Sequence, residues 1–315
     1  MNISFMRYNM ERSGNIFRLF LVIKSSDECK SDNKYDIWEY FINNYAELTR
    51  NKNGKGGLNK PRSVDPYLSM ARELGFLRQR HQTRPWLINE GAGKAFLDIY
   101  EKFDTRPNLL VLTQLLKNDR TFLIPYLKEV INEGFYDVIK SRDLQIKIVD
   151  KVWKFMWRKY SRELSLLEPL VKEKLEKRTK LMYADARKSL LFEKKGLFLN
   201  EDHINRFIMT FKEYENKRLD GDLFLKMSYV YNNKLPNIMT IESVTNEIYD
   251  ILTSYTINKY VSAYRIFSVI NELNLPDKGI EWSVFLNVIR NNHIFQLNSS
   301  FTKGDYLINV TKVKK

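Results

Sequence analysis

Between Asp36 and Phe103 the spacing of the apolar residues changes repeatedly, and the order of the changes leaves few folds open. Asp36 to Thr49 (DIWEYFINNYAELT) places Ile37, Trp38, Phe41, Ile42, Tyr45 and Leu48 at helical intervals, with Asp36 as the expected N-cap. The following NKNGKGGLNKP, residues 51–61, is too rich in Gly, Asn and Lys to continue the helix and reads as a loop. Ser63 to Leu74 resumes helical spacing through Val64, Leu68, Met70, Ala71 and Leu74. Gly75 closes that helix, since a left-handed residue is sterically open to glycine. Phe76 to His81 and Pro85 to Ile88 then alternate as two short strands about a polar turn, and Ala92 to Phe103 is helical again.

Helix, loop, helix, basic hairpin, helix is an order that resembles the winged helix-turn-helix family. The resemblance rests on "LGFL" at the end of the second helix, the basic hairpin, and "WLINEGAGKAFL" leading into the next helix; it covers about 70 residues. Asn89 stands where the family pattern has Thr, which preserves capping because Asn also caps. The resemblance implies that the second helix of the motif enters the major groove of DNA and that the hairpin, the wing, touches the backbone or the minor groove.

The carboxyl end repeats the plan in a less basic form. Thr245 to Tyr255, Ala263 to Leu273 and Glu281 to Asn291 have helical spacing, and His293 to Leu297 with Tyr306 to Val310 alternate as strands around residues 298–305. Elsewhere the run Ile16 to Ile23 (IFRLFLVI) reads as a buried strand, too short to span a membrane and interrupted by Arg18. Leu109 to Leu116 and Phe122 to Ile131 read as a helical pair broken at Asn118-Asp119. Gln145 to Leu191 reads as a long helix with a bend or break at Pro169, its Trp153, Phe155, Trp157 and Tyr160 read as core residues in preference to a base-stacking platform. Leu197 to Lys217 and Leu223 to Tyr231 add further helices. The expected fold class is therefore mainly α with small β-hairpins. Its 315 residues divide into an amino-terminal strand and extension over 1–34, a winged helix with closing helices over 35–140, a basic helical linker over 141–235 and a second winged helix over 236–315.

A formal charge of +14 makes a polyanion the favoured partner. The surplus is local. Residues 50–94 hold ten Lys and Arg against three acids, residues 142–195 hold sixteen against eight, and the remainder of the chain is close to neutral. The first cluster supplies the expected nucleic-acid contacts: Lys52, Lys55, Lys60, Arg62, Ser63, Tyr67, Arg72, Arg78, Arg80, Arg84 and Lys94. Of these, Arg62, Ser63, Tyr67 and Arg72 are the expected readers of base edges, while Arg78, Arg80 and Arg84 meet phosphates from the wing.

Catalytic patterns are weak by comparison. Gly91-Ala92-Gly93-Lys94 lacks the distal Gly and the following Ser/Thr of a phosphate-binding loop, with Ile88 and Ala95 at those positions. Asp202 with Glu215-Asn216-Lys217 is the best imitation of a nuclease triad, but it falls on helical spacing rather than on adjacent strands. His81, His203 and His293 are isolated from one another and from Cys29, the single cysteine, so neither a zinc site nor a disulfide framework is expected. The expectation is a cytoplasmic, non-enzymatic protein without cofactor, metal or membrane insertion. Its expected partner is DNA, with RNA left open, together with a protein. Two winged helices without a nuclease core resemble the recognition part of certain restriction enzymes. They also resemble an accessory subunit serving a separate nuclease, such as an Argonaute-type protein in prokaryotic antiviral defence. A homodimeric transcription regulator and a protein-interaction scaffold are the alternatives.

Overall fold

The computed structural model describes residues 15–31, 33–49, 58–79, 86–166, 191, 192, 198, 200–212, 223–232, 236–255, 260–275, 277–300 and 305–310. It is mainly helical with short strands, and the chain divides into two compact units, one of residues 1–88 and 114–209, the other of residues 89–113 and 210–315. Neither unit is continuous in sequence.

In the first unit, helix α1 (Ile16–Cys29) packs against α2 (Lys34–Thr49), α3 (Asp65–Glu73) and strand β2 (Trp86–Ile88). The expected strand over residues 16–23 is thus a helix. Its sequence is apolar nearly all round, with Ile16, Leu19, Phe20, Leu21, Val22 and Ile23 all buried, and a short apolar run carries no period that separates a buried helix from a buried strand. The deciding signal is Asn15, whose side-chain carbonyl accepts from the Arg18 amide at 3.0 Å as an N-cap. Helix α2 begins two residues before Asp36, so that residue lies in the first turn, where a carboxylate favours the positive end of the helix dipole. Ile37 and Phe41 face the core, while Leu48 of the expected apolar stripe is exposed.

A 3-10 turn, Pro61–Ser63, leads into α3, which buries Tyr67, Leu68, Met70 and Ala71. Gly75 ends it as expected, at φ +79°, with the Gly75 amide donating to Arg72 O at 3.0 Å and the Phe76 amide to Ala71 O at 2.8 Å. Strand β1 (Leu77–Gln79) then pairs antiparallel with β2, setting Leu77 opposite Ile88 and Arg78 opposite Leu87.

The expected pair of helices over 109–131 is one helix, α5 (Asn108–Glu133), with Pro125 inside it. Asn118-Asp119 does not break it: Asp119 is as buried as the leucines around it, and polarity alone is no stop signal without Gly or a left-handed residue. After α6 (Phe135–Lys140), the long basic helix runs as α7 (Arg142–Lys159) and breaks at Tyr160 before a short α8 (Ser161–Ser165). Pro169 lies outside the described residues. Helix α9 (Glu201–Lys212) completes the first unit but for its last residues, and α10 (Leu223–Asn232) belongs to the second.

In the second unit, α4 (Ala92–Glu101) packs against α12 (Ala263–Asn274) from the far end of the chain. Around α12 stand α11 (Ile241–Ser254) and α13 (Trp282–Asn291). A two-residue parallel bridge joins β3 (Asn237–Ile238) to β5 (Lys278–Gly279). Strands β4 (Val261–Ser262), β6 (Phe295–Ser299) and β7 (Tyr306–Val310) form an antiparallel sheet in the order β4-β7-β6, with Val261 opposite Ile308 and Leu297 opposite the same residue from the other side. The expected hairpin is therefore present, and it gains a third strand too short to be seen as a period. Asn271, fully buried, pairs with both backbone groups of Ile280: its Oδ1 accepts from the Ile280 amide at 3.0 Å and its Nδ2 donates to the carbonyl at 3.1 Å.

Glu272 holds the amino terminus of α5, accepting from the amides of Leu109 at 3.0 Å and Leu110 at 2.8 Å. Burial pushes its carboxyl up to about 8, against the opposing pull of these amides. A folded-state value above the unfolded one means that the contribution of Glu272 to stability is full below pH ~4.3 and is lost as pH rises through about 8. The thermal midpoint of the second unit is expected to fall between those limits, and Glu272→Gln to flatten the profile. A Glu272→Gln protein with the wild-type pH dependence would refute the assignment.

Candidate nucleic-acid interface

The expected contact residues separate into four groups. Lys52, Lys55, Arg80 and Arg84 lie outside the described residues. Tyr67 is 1% exposed, so its side chain belongs to the core of the first unit and cannot reach a base edge; its place one turn before Ala71 and beside Leu68 puts it on the inner face of α3. Lys94 is half-buried on α4, in the second unit. Lys60, Arg62, Ser63, Arg72 and Arg78 remain, and local structure explains their common placement.

Lys60 and Arg62 are exposed on the turn that delivers the chain into α3, where Pro61 fixes the entry. Ser63 beside them is half-buried. Arg72 stands in the last turn of α3, its guanidinium 5.6 Å from the centre of the Trp86 ring, which ties the end of that helix to β2. Arg78 is exposed on β1, opposite Leu87, itself 37% exposed. Basic residues thus flank α3, with Arg62 on the turn before it and Arg72 in its last turn, and Arg78 follows on the hairpin against which α3 packs. Asp65 on the same helix is engaged by Lys34, Nζ to Oδ2 at 3.2 Å, which offsets its repulsion of an anion.

Ser69 was missed by sequence reasoning. It lies three residues before Arg72 on α3, half-exposed, and that one-turn spacing was the available signal. A second missed row lies on α13, where Ser283, Asn287, Arg290 and Asn291 are exposed opposite buried Phe285, Leu286, Val288 and Ile289. Asn291 Nδ2 donates to Asn287 Oδ1 at 2.8 Å, and Arg290 donates to the Tyr306 hydroxyl at 3.1 Å with its guanidinium 5.4 Å from that ring. Amide and guanidinium groups are the side chains that pair with purine edges, and no acid interrupts this row.

No family model, curated protein or solved structure matches this chain. The chemistry of its own residues carries the argument. Gly91 is the N-cap of α4, the Asn89 carboxamide accepting from its amide at 2.9 Å, so the glycine-rich stretch is a helix start tied by an Asx turn. Asp202 opens α9 and its carboxylate is paired with Arg206; Glu215 and Lys217 lie outside the described residues. Burial lowers the His203 imidazole and raises the Cys29 thiol, so neither is tuned toward an activated base or thiolate. Among the described residues no group of three or more His, Cys, Asp or Glu is placed to hold a metal ion. No described helix is long and apolar enough to cross a membrane.

Proposed function

We propose that this chain is a non-catalytic nucleic-acid-binding protein whose two units each present a winged-helix-like module, and that duplex DNA is its principal partner. The observation that supports the reading most directly is the set of solvent-accessible polar and basic residues formed by Arg62 on the turn before α3, Ser69 and Arg72 on α3, and Arg78 on β1, against which α3 packs. A helix with readers at both ends, followed at once by a hairpin bearing an exposed Arg, fits a groove-and-backbone contact. The second unit adds support through its three helices followed by an antiparallel hairpin, the plan expected for the carboxyl end, and through the polar face of α13. The molecule would then supply recognition to an activity carried by another protein.

The decisive measurement is equilibrium binding to duplex DNA across a salt series. The logarithm of the association constant is expected to fall linearly with the logarithm of salt, at about 0.9 per neutralised phosphate. Binding that is absent or indifferent to salt would sink the proposal, as would metal-dependent cleavage lost in Glu215→Ala or Lys217→Ala.

A further inference from the structure

The second basic segment begins with α7, and the helix turns its charge outward in an ordered way. Lys147, Lys151, Lys154 and Arg158 are all exposed, with Gln145, Ile148, Val149, Val152 and Met156 on the buried side. At 100° per residue the four cations fall within a stripe about 60° wide, and at 1.5 Å per residue they span about 16 Å. Three of the ammonium groups are steadied by carboxylates without being withdrawn from solvent. Lys147 pairs with Glu133 at 3.2 Å, Lys151 with Glu129, and Lys154 with Asp150 at 2.9 Å, and the lysine side chains remain 62%, 54% and 67% exposed. Exposed pairs of this kind are worth about 0–1 kcal/mol, so a phosphate is able to compete for each cation.

Beside the stripe stands an aromatic residue in the wrong place for a core. Phe155, expected inside, is 46% exposed, with Lys159 Nζ 5.8 Å from its ring centre. Val152 and Met156 form the buried side of the same turn. A ring open to solvent among cations matches what an unpaired base offers, a π-face joined to a phosphate. Duplex DNA hides its base faces and gives Phe155 nothing to stack on.

We infer that the outer face of α7, through Lys147, Lys151, Lys154, Arg158 and Phe155, is a separate binding surface for single-stranded nucleic acid. It lies apart from α3 and β1 in the chain and does not depend on the duplex-binding reading. DNA and RNA strands share the chemistry it recognises.

The test uses the full chain with fluorescent oligothymidylate, oligouridylate and a duplex, read by anisotropy at several salt concentrations. Replacing the four cations by Gln is expected to lower the log-log salt slope for single strands by about 2.8, from about 0.7 per phosphate. Phe155→Ala is expected to weaken single-strand binding on the order of 5- to 100-fold, with Phe155→Trp restoring it and duplex affinity nearly unchanged. Either strand type bound in this way supports the inference. A wild-type salt slope in the four-cation variant, an unaltered single-strand affinity in Phe155→Ala, or equal losses on duplex and single strand would overturn it; circular dichroism checks that each variant is folded. Loss of duplex binding in variants of Arg78, Arg80 and Arg84 tests the earlier reading alone.

Discussion

Asp98→Ala is expected to destabilise the second unit by about 3–5 kcal/mol, the cost of stranding a buried charge. Asp98 stands on α4 with 6% of its side chain exposed, and it accepts from Arg265 Nε at 2.5 Å and Nη2 at 2.8 Å, a two-point clamp across to α12. Its Oδ2 also accepts from the Tyr255 hydroxyl at 2.6 Å, at the end of α11. The Arg265 guanidinium lies 4.0 Å from the Tyr255 ring centre and the Lys102 ammonium 3.7 Å from it, so one carboxylate balances two cations around a single ring. Burial drives the Tyr255 hydroxyl above its ordinary range, keeping it a donor at every working pH, and the same cause lowers Lys102. Removing the carboxylate leaves the guanidinium desolvated without its counter-charge. The double replacement Asp98→Asn with Arg265→Met, which removes both charges, keeps an acceptor for the Tyr255 hydroxyl and changes the volume little, is expected to recover part of the loss. Urea denaturation of the full chain, with hydrogen exchange at α4 and α12 amides, checks both results. A loss below about 1 kcal/mol for Asp98→Ala would show that water reaches the pair and that it does not hold the unit together.

That clamp also explains how far the fold was legible in the sequence. Amphipathic periods located α2, α3, α12 and α13 closely, because each has one wet and one dry face and a polar or glycine boundary. The same signal failed for α1 and for the middle of α5, where burial on nearly all sides erases the period and leaves only caps to read. No local pattern announces that α4, which follows the first hairpin directly, packs with α12, Asp98 and Arg265 being 167 residues apart; that pairing lies in these two residues and the apolar faces, and a lone Asp on a helix reads as a solvated residue. The candidate interface was legible where charge and spacing coincide, at Arg62, Arg72 and Arg78. Tyr67 was misplaced because its hydroxyl suggested a polar contact, while its spacing with Leu68 and Ala71 already assigned it inward. Ser69 and the α13 row were passed over for want of charge, although hydrogen-bonding capacity, not charge, distinguishes one base from another.

Arg78→Ala combined with Arg80→Ala and Arg84→Ala is expected to lower the salt slope of duplex binding by about 2.7 and to weaken every duplex by nearly the same factor. Arg78 is exposed on β1, and the other two lie just beyond it in the chain. A charge that meets phosphate is blind to sequence, so the ratio of affinities between a preferred and an unrelated site is expected to survive the triple change. Arg62→Ala is expected to do the opposite, costing about 1–3 kcal/mol on the preferred site and less elsewhere, since a base contact has that value only when its partner base is present. Arg72→Ala combines two losses. Its guanidinium faces Trp86 at 5.6 Å, so about 0.5–1 kcal/mol of packing between α3 and β2 disappears with any base contact. Arg72→Lys separates the terms, keeping the charge and part of the ring contact while removing the planar fork that reads a base edge in two places. A folded triple variant that keeps the wild-type salt slope would remove the hairpin from the DNA and leave the α13 row of the second unit as the face to test by the same measurement.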